Sequence, residues 1–574
     1  MKNKKYYLGI AMVFLVLVAL LFAAENTNIY KQIKLMNQVV TTIYTDYVDP
    51  IDYRKIIKGA IDGITATLDP HTVFFTKKQY NDLQVDTRGS FGGLGIQISI
   101  RDKWLTVIAP IEGTPASRVG IQAGDKIIKI EGKTTKGITT EQAVSKLRGE
   151  PGTKVTITIQ REGEPKPFDV TITRDIIEIK PIPYYGLTDE GIGYIRLSTF
   201  SADAGHAVSE ALADLELQNP KGMILDLRSN PGGLLSQAVE VASQFLGRDA
   251  LVVYTKGRSV FQSREYYTEN EGEYPDGPLI VLVDGGSASA SEIVAGAIQD
   301  HDRGLILGKQ TFGKGLVQSV RPMPGETALK ITTAKYYIPS GRCIQKEDYL
   351  KDANSAIITD TLDWNPDEID PWDFEITPAD TDSTEEEKPI FFTKSGRTVY
   401  GGGGITADIE SDPKKLNKLE IELLRKGHFF GFAVHYVVKH KGELKSPEFD
   451  VTDAMLYEFK QFIQEKEFEY QTRAEEILEH IDSIATEDSL SDETMVIIEQ
   501  LHNRLDIEQD REFERSKDFI KREIKRQLVR AIWSEKERYR QVDVKTDETI
   551  QQAIAIILNP DEYFSYLEVK EKDE

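Results

Sequence analysis

PLIVLVDGGSASASEIVAGAIQD (278–300), HDRGLILG (301–308) and KQTFGKGLVQ (309–318) run consecutively through the middle of the chain. Residues 279–283 form an apolar run too short for a core helix, and Gly285-Gly286 ends it. That pattern predicts a buried strand. Ser287, Ser289 and Ser291 follow, with Glu292 three positions after Ser289. Ile293, Val294, Ala297 and Ile298 then recur at helical spacing. The serines therefore sit where a strand turns into a helix. Backbone N–H groups there lack helical partners and favour negative charge. Ser289 with Glu292 also reads as a capping box.

Residues 305–307 are a second apolar run, and Gly313-Lys314-Gly315 lies in the loop after it. A serine hydroxyl is a poor nucleophile until a base takes its proton. A lysine is such a base only when neutral, which requires burial away from water and anions. The flanking glycines let the backbone bring Lys314 close, although the same tripeptide also suits a surface turn. Upstream, residues 223–227 predict another buried strand. Arg228-Ser229-Asn230-Pro231-Gly232-Gly233 and a helix over 234–246 follow it. The repeated strand, glycine turn and helix predict an α/β core with crossover helices. Bare N–H groups at Gly232-Gly233 suit a developing oxyanion, and the same glycines suit a tight turn.

Three other chemistries fit poorly. GKQTFGKG (308–315) nearly matches a P-loop, but Gly315 replaces the hydroxyl residue that would hold magnesium. An alternating, strand-like segment follows where a P-loop needs a helix. A serine–histidine triad lacks a histidine near the serines, since His301 lies at the far end of the helix. No HExxH or cysteine pair offers a zinc site, and no cofactor is expected.

DLRSNPGG (226–233), SASASEI (287–293) and TFGKGLVQ (311–318), in this order, resemble the signature segments of the C-terminal processing peptidases, or tail-specific proteases. LDPHTVFF (68–75) and a PDZ-like segment between it and the core extend the likeness over roughly residues 30–410. FFTKSGRTVYGGGGITAD (391–408) resembles the family's closing segment, with Ala407 where proline is usual. The resemblance implies a serine endopeptidase with a Ser289/Lys314 dyad acting through an acyl-enzyme. It selects Ser289 over its two neighbours by its spacing of 25 positions from Lys314. It also implies that Gln318 positions the lysine amine, as i and i+4 on a strand share a face. Ala290 and either Gly232 or Gly233 would supply the oxyanion N–H groups, with Gly233 slightly favoured. A catalytically inactive PDZ scaffold or holdase is the alternative.

Residues 92–96, Gly92-Gly93-Leu94-Gly95-Ile96, pass from a glycine loop into an alternating strand and resemble a PDZ peptide site. In such a site a peptide C-terminus adds to the edge strand and loop N–H groups hold its carboxylate. The expected fold class is multidomain α/β. Residues 1–25 form a signal or anchor, 26–88 a helical domain, and 89–175 a PDZ domain. A ClpP/crotonase-like peptidase core spans 176–410, with an acidic exposed insertion about 354–388. Residues 411–574 form a helical extension, by default packed on the core. The apolar stripe of residues 29–43 reads as core.

The chain has 574 residues, 40% hydrophobic and 28% charged, which suits several globular domains. A net charge of -23 argues against nucleic acid as a partner. The single cysteine, Cys343, excludes an internal disulfide. Lys2, Lys4 and Lys5 before the apolar residues 8–24 predict export, with the segment cleaved or kept as an inner-membrane anchor in a periplasmic setting. The expected partners are protein substrates bound through exposed C-termini, a second copy of the chain, and an adaptor on the C-terminal helices.

Overall fold

The computed structural model describes residues 29–346, 388–488 and 490–569. The expected signal or anchor, and all of the acidic insertion except Lys388, lie outside the described residues. Among the described residues no helix is long and apolar enough to cross a membrane. The chain forms two compact units. The described part of one is residues 29–80 and 318–332; the rest belongs to the other.

In the smaller unit residues 29–46 are helical, and the helix Tyr53–Ala66 follows the Asp49-Pro50 break. The apolar stripe of the first helix is exposed, with Ile33, Met36, Val39 and Ile43 all open to solvent. The expectation that this stripe is core is therefore corrected. The LDPHT stretch is a turn organised by Asp69, whose carboxylate accepts from the N–H groups of His71 and Thr72 and from the Thr72 hydroxyl, each at 2.8 Å. Strand Val73–Phe75 then pairs antiparallel with residues 328–330.

The larger unit begins with an antiparallel sheet. Its strand order is Ile96–Arg101, Trp104–Pro110, Lys126–Ile130, Lys154–Gln160 and Phe168–Thr173. Val155, Ile157 and Ile159 are buried while Thr156 and Thr158 are not, the period-2 pattern of a one-sided sheet. Helix Thr140–Leu147 lies beside the edge strand Ile96–Arg101. The glycine loop expected over 92–95 is shorter in the structure. Gly92 and Gly93 lie in a strand paired with Asp175 and Ile176, so only Leu94 and Gly95 form the loop.

The second sheet runs Tyr184–Leu187, Gly193–Arg196, Met223–Asp226, Leu279–Val283, Leu305–Gly308, Ile409–Glu410, parallel from the second strand onward. All five residues of Leu279–Val283 are buried. A parallel strand so apolar needs cover on both faces. Helices Ala204–Glu216, Leu235–Ser243 and Ala290–Asp300 cover one face through Val208, Leu212, Val241 and Ile293. The other face is covered by helix Glu548–Ile557, whose Ile550, Ile554 and Ile557 pack on Ile280, Leu282, Leu305 and Leu307. The C-terminal extension therefore completes the core.

The extension also builds its own core from Leu423, Phe429, Phe432, Phe459, Ile524 and Leu528, drawn from four helices. It touches the first sheet as well. Gln97 accepts from Arg530 at 2.7 Å, Arg101 lies over the Phe430 ring, and Glu162 meets His435 at 2.9 Å. Within the extension, helix Asp492–Arg515 ends at Ser516 and helix Lys517–Ile532 begins there.

Candidate active site

Strand Leu279–Val283 delivers the chain to Asp284, and helix Ala290–Asp300 starts six residues later. Ser289 is the residue before the helix, at φ 56 and ψ -111. Such a backbone is strained for a residue with a side chain, at a cost of roughly 1–3 kcal/mol, and clusters at functional sites. The three serines differ sharply. Ser287 is fully buried; it accepts from Asp284 N–H at 3.0 Å and donates to the Leu227 carbonyl at 2.8 Å. Ser291 is fully buried and donates to the Asn230 carbonyl at 2.8 Å. Ser289 is only half-buried, and its hydroxyl makes no capping hydrogen bond. Glu292 N–H goes instead to the Ser289 carbonyl at 2.9 Å.

Glu292 does more than cap. Its carboxylate is fully buried and accepts from Ser289 N–H at 2.8 Å, Lys314 N–H at 3.0 Å, Gly313 N–H at 2.7 Å and the Thr311 hydroxyl at 2.6 Å. The segments carrying Ser289 and Lys314 are thereby tied to one side chain. Burial pushes the Glu292 carboxyl up to about 7, and these four donors pull against that rise. Tyr336, also buried, directs its hydroxyl at the carbonyls of both Ser289 and Lys314. Neither Tyr336 nor Thr311 carried a sequence signal, and Glu292 was legible only as a cap.

The 230–233 turn closes against this pair. Asn230, fully buried, donates to the Leu197 carbonyl at 2.9 Å and accepts from Gly232 N–H at 3.0 Å. That bond occupies the Gly232 N–H. The N–H groups of Gly233 and Ala290 take no backbone partner among the described residues. Gly232 has φ 98, and a Cβ there would stand 2.9 Å from both Ala290 N and Ser289 Cβ. Only glycine allows the turn to approach the serine so closely. Two free donors therefore flank a half-exposed hydroxyl, an arrangement able to receive negative charge developing on an oxygen.

Gln318 stands differently. It lies in strand Leu316–Met323 and belongs to the smaller unit, and its Nε2 is buried without a hydrogen-bond partner among the described residues. Lys314 precedes that strand, so, contrary to the expectation from i and i+4 spacing, the two residues do not share a strand face. In the first sheet, the N–H groups of Leu94 and Gly95 take no backbone partner among the described residues. Strand Ile96–Arg101 follows them with one edge unpaired. This is the geometry for adding a peptide strand and holding its carboxylate.

Comparison with known proteins agrees with this architecture. Residues 191–355 match the model of peptidase family S41, residues 106–161 that of a PDZ domain, and residues 419–557 that of the C-terminal helical domain of a probable PDZ-protease. A carboxy-terminal-processing protease of Bartonella bacilliformis is 42% identical over 325 residues, 56% of this chain and 74% of its own length. A carboxyl-terminal-processing protease of Synechocystis is 40% identical over 310 residues, 53% of this chain and 72% of its own length. A solved photosystem II D1 C-terminal processing protease is 32% identical over 53% of this chain and 82% of its own, with a TM-score of 0.33. With a PDZ sheet, a parallel α/β core and a helical C-terminal domain in order, the chain belongs to the carboxy-terminal-processing serine proteases of peptidase family S41.

Proposed function

We propose that the chain is a serine endopeptidase that cuts exported proteins near their C-termini through a Ser289/Lys314 dyad. The observation that carries this reading is the shared Glu292 carboxylate, which fixes both residues' backbones within one hydrogen-bonded unit. Neutral Lys314 takes the proton from Ser289 as the hydroxyl attacks the scissile carbonyl. The tetrahedral oxyanion is held by the N–H groups of Gly233 and Ala290. Gly232 is the poorer donor because Asn230 already holds its N–H. Lys314 then protonates the leaving amine, an acyl-enzyme forms on Ser289, and water activated by the same amine releases it.

The PDZ domain, taken as residues 89–175, binds the substrate C-terminus. Leu94, Gly95 and Ile96 present N–H groups to the carboxylate, and the open edge of Ile96–Arg101 accepts the peptide strand. Gly92 and Gly93 hold the loop in position through their ladder with Asp175 and Ile176. The domain assignment otherwise follows the boundaries at 26–88, 176–410 and 411–574. Export to the periplasmic side, with residues 1–25 as cleaved signal or retained anchor, belongs to this reading. So do pairing of two copies and docking of an adaptor on the C-terminal helices.

The test uses a reporter protein with a free, unstructured C-terminus. Ser289→Ala and Lys314→Ala are each expected to abolish cleavage while the melting temperature stays near that of the parent. Cleavage by either variant at the parent rate would overturn the dyad.

A further inference from the structure

The extension's docking on the core includes one contact that reaches the active-site turn. Arg228 stands between the end of strand Met223–Asp226 and the 230–233 turn. Its Nε and Nη2 donate to the buried Asp226 carboxylate at 2.7–3.2 Å. Its Nη1 reaches across to Asp547 of the C-terminal domain, meeting both carboxylate oxygens at 3.0 Å. The guanidinium is thus held between two carboxylates, and a planar fork held this way is fixed in orientation as well as in place.

Asp547 is itself fixed. It caps helix Glu548–Ile557 by accepting from Ile550 N–H at 3.0 Å, and that helix packs on the underside of the parallel sheet. On the other side of Arg228, Ser229 has φ 51 and is pinned to Asp284, by its N–H at 2.6 Å and its hydroxyl at 3.0 Å. Asp284 also accepts from Gly286 N–H at 2.9 Å, so it belongs to the loop that leads to Ser289. Arg228 and Ser229 are therefore held from below by the C-terminal domain and from above by the serine loop. Beside this junction lies a cavity of about 760 Å³, walled by Arg228, Asp547, Arg522 and Arg526 among others.

We propose that Asp547 is a positioning residue for hydrolysis: through Arg228 it sets the 230–233 turn against Ser289. The C-terminal helical domain thereby contributes to the active site without touching substrate. This rests on the assignment of that turn as oxyanion donor.

The experiment compares full-length variants in peptide hydrolysis. Asp547→Asn keeps a good helix cap but loses the charge that holds Arg228. The expected result is a fall in kcat of about 10-fold with KM changed less than about twofold. Lys545→Gln breaks another ion pair between this domain and the core, Lys545–Asp189 at 2.8 Å, which does not touch the turn. It is expected to leave kcat near the parent value. Arg228→Lys keeps a cation beside Asp226 but loses the second arm. It is expected to reproduce the kcat loss, and the double variant to lose no more than the worse single one. If Asp547→Asn keeps the parent kcat, if Lys545→Gln loses as much, or if the two substitutions add, the proposal is overturned. Should Asp547→Asn fail to fold, Arg228→Lys carries the test alone, and a parent-level kcat in it is the contrary result. A parent chain without Ser289-dependent hydrolysis would instead refute the dyad, a separate outcome.

Discussion

Ser289 and Lys314 are hung from one oxygen. Glu292 Oε2 accepts the backbone N–H of Ser289 at 2.8 Å and that of Lys314 at 3.0 Å. The nucleophile's loop and the base's loop come from different strands, yet their spacing is set by one buried carboxylate. Glu292→Gln would turn an amide donor toward groups that all donate. Losing hydrogen bonds to a charged acceptor costs about 2 kcal/mol, or about 30-fold in kcat. Steady-state kinetics on the variant checks this, and a kcat within twofold of the parent would contradict it.

The same carboxylate gives the protein opposed pH dependences. Glu292 is raised from 4.5 to about 7 by burial, so between those values the folded form binds a proton that the unfolded form has released. Stability from this group is therefore greatest at low pH, falls as pH rises from about 4.5 to 7, and is level above that, a span of about 3 kcal/mol. Activity runs the other way, because only the ionised carboxylate can accept four donors at once. Denaturant unfolding at pH 5 and pH 8 should show this decline in the parent and not in Glu292→Gln. Peptidase activity in the parent should rise through pH 7.

Tyr336→Phe removes a single hydroxyl that bridges the carbonyls of Ser289 and Lys314. The ring stays buried and the volume hardly changes. A loss of about 1 kcal/mol is expected, seen as a fall in kcat of roughly fivefold with the melting temperature little altered. A loss of 1000-fold would mean that the tyrosine takes part in the chemistry.

The PDZ reading predicts dependence on a free carboxylate. A peptide ending in an amide cannot accept the N–H groups of Leu94 and Gly95 as an anion does. Its KM should rise about 10-fold, near 1.4 kcal/mol, with kcat largely kept. Equal KM for the acid and the amide would remove the carboxylate site.

Much of this was readable in the sequence because its signals are local. LIVLV followed by glycines can only be a short buried strand, and the strand Leu279–Val283 lies where that run does. The serine's position before a helix followed from the spacing of Ile293, Val294, Ala297 and Ile298. What stayed hidden depends on residues distant in sequence. Glu292 looked like a cap because its other donors lie about 20 positions away. The role of residues 548–557 was hidden for the same reason, since a helix shows its own apolar face but not which sheet it covers. That strand's all-apolar character required a second cover, and the tail supplies it. The stripe of Ile33, Met36, Val39 and Ile43 misled in the opposite direction, since spacing predicts a face and not its burial.

The central claim is that a neutral Lys314 amine activates Ser289. It is tested most directly by treating the protein with a fluorophosphonate and mapping the adduct by mass spectrometry, in the parent and in Lys314→Met. The account predicts one adduct on Ser289 in the parent and none above background in the folded variant. An adduct on another residue, or labelling of Lys314→Met at the parent rate, would contradict it.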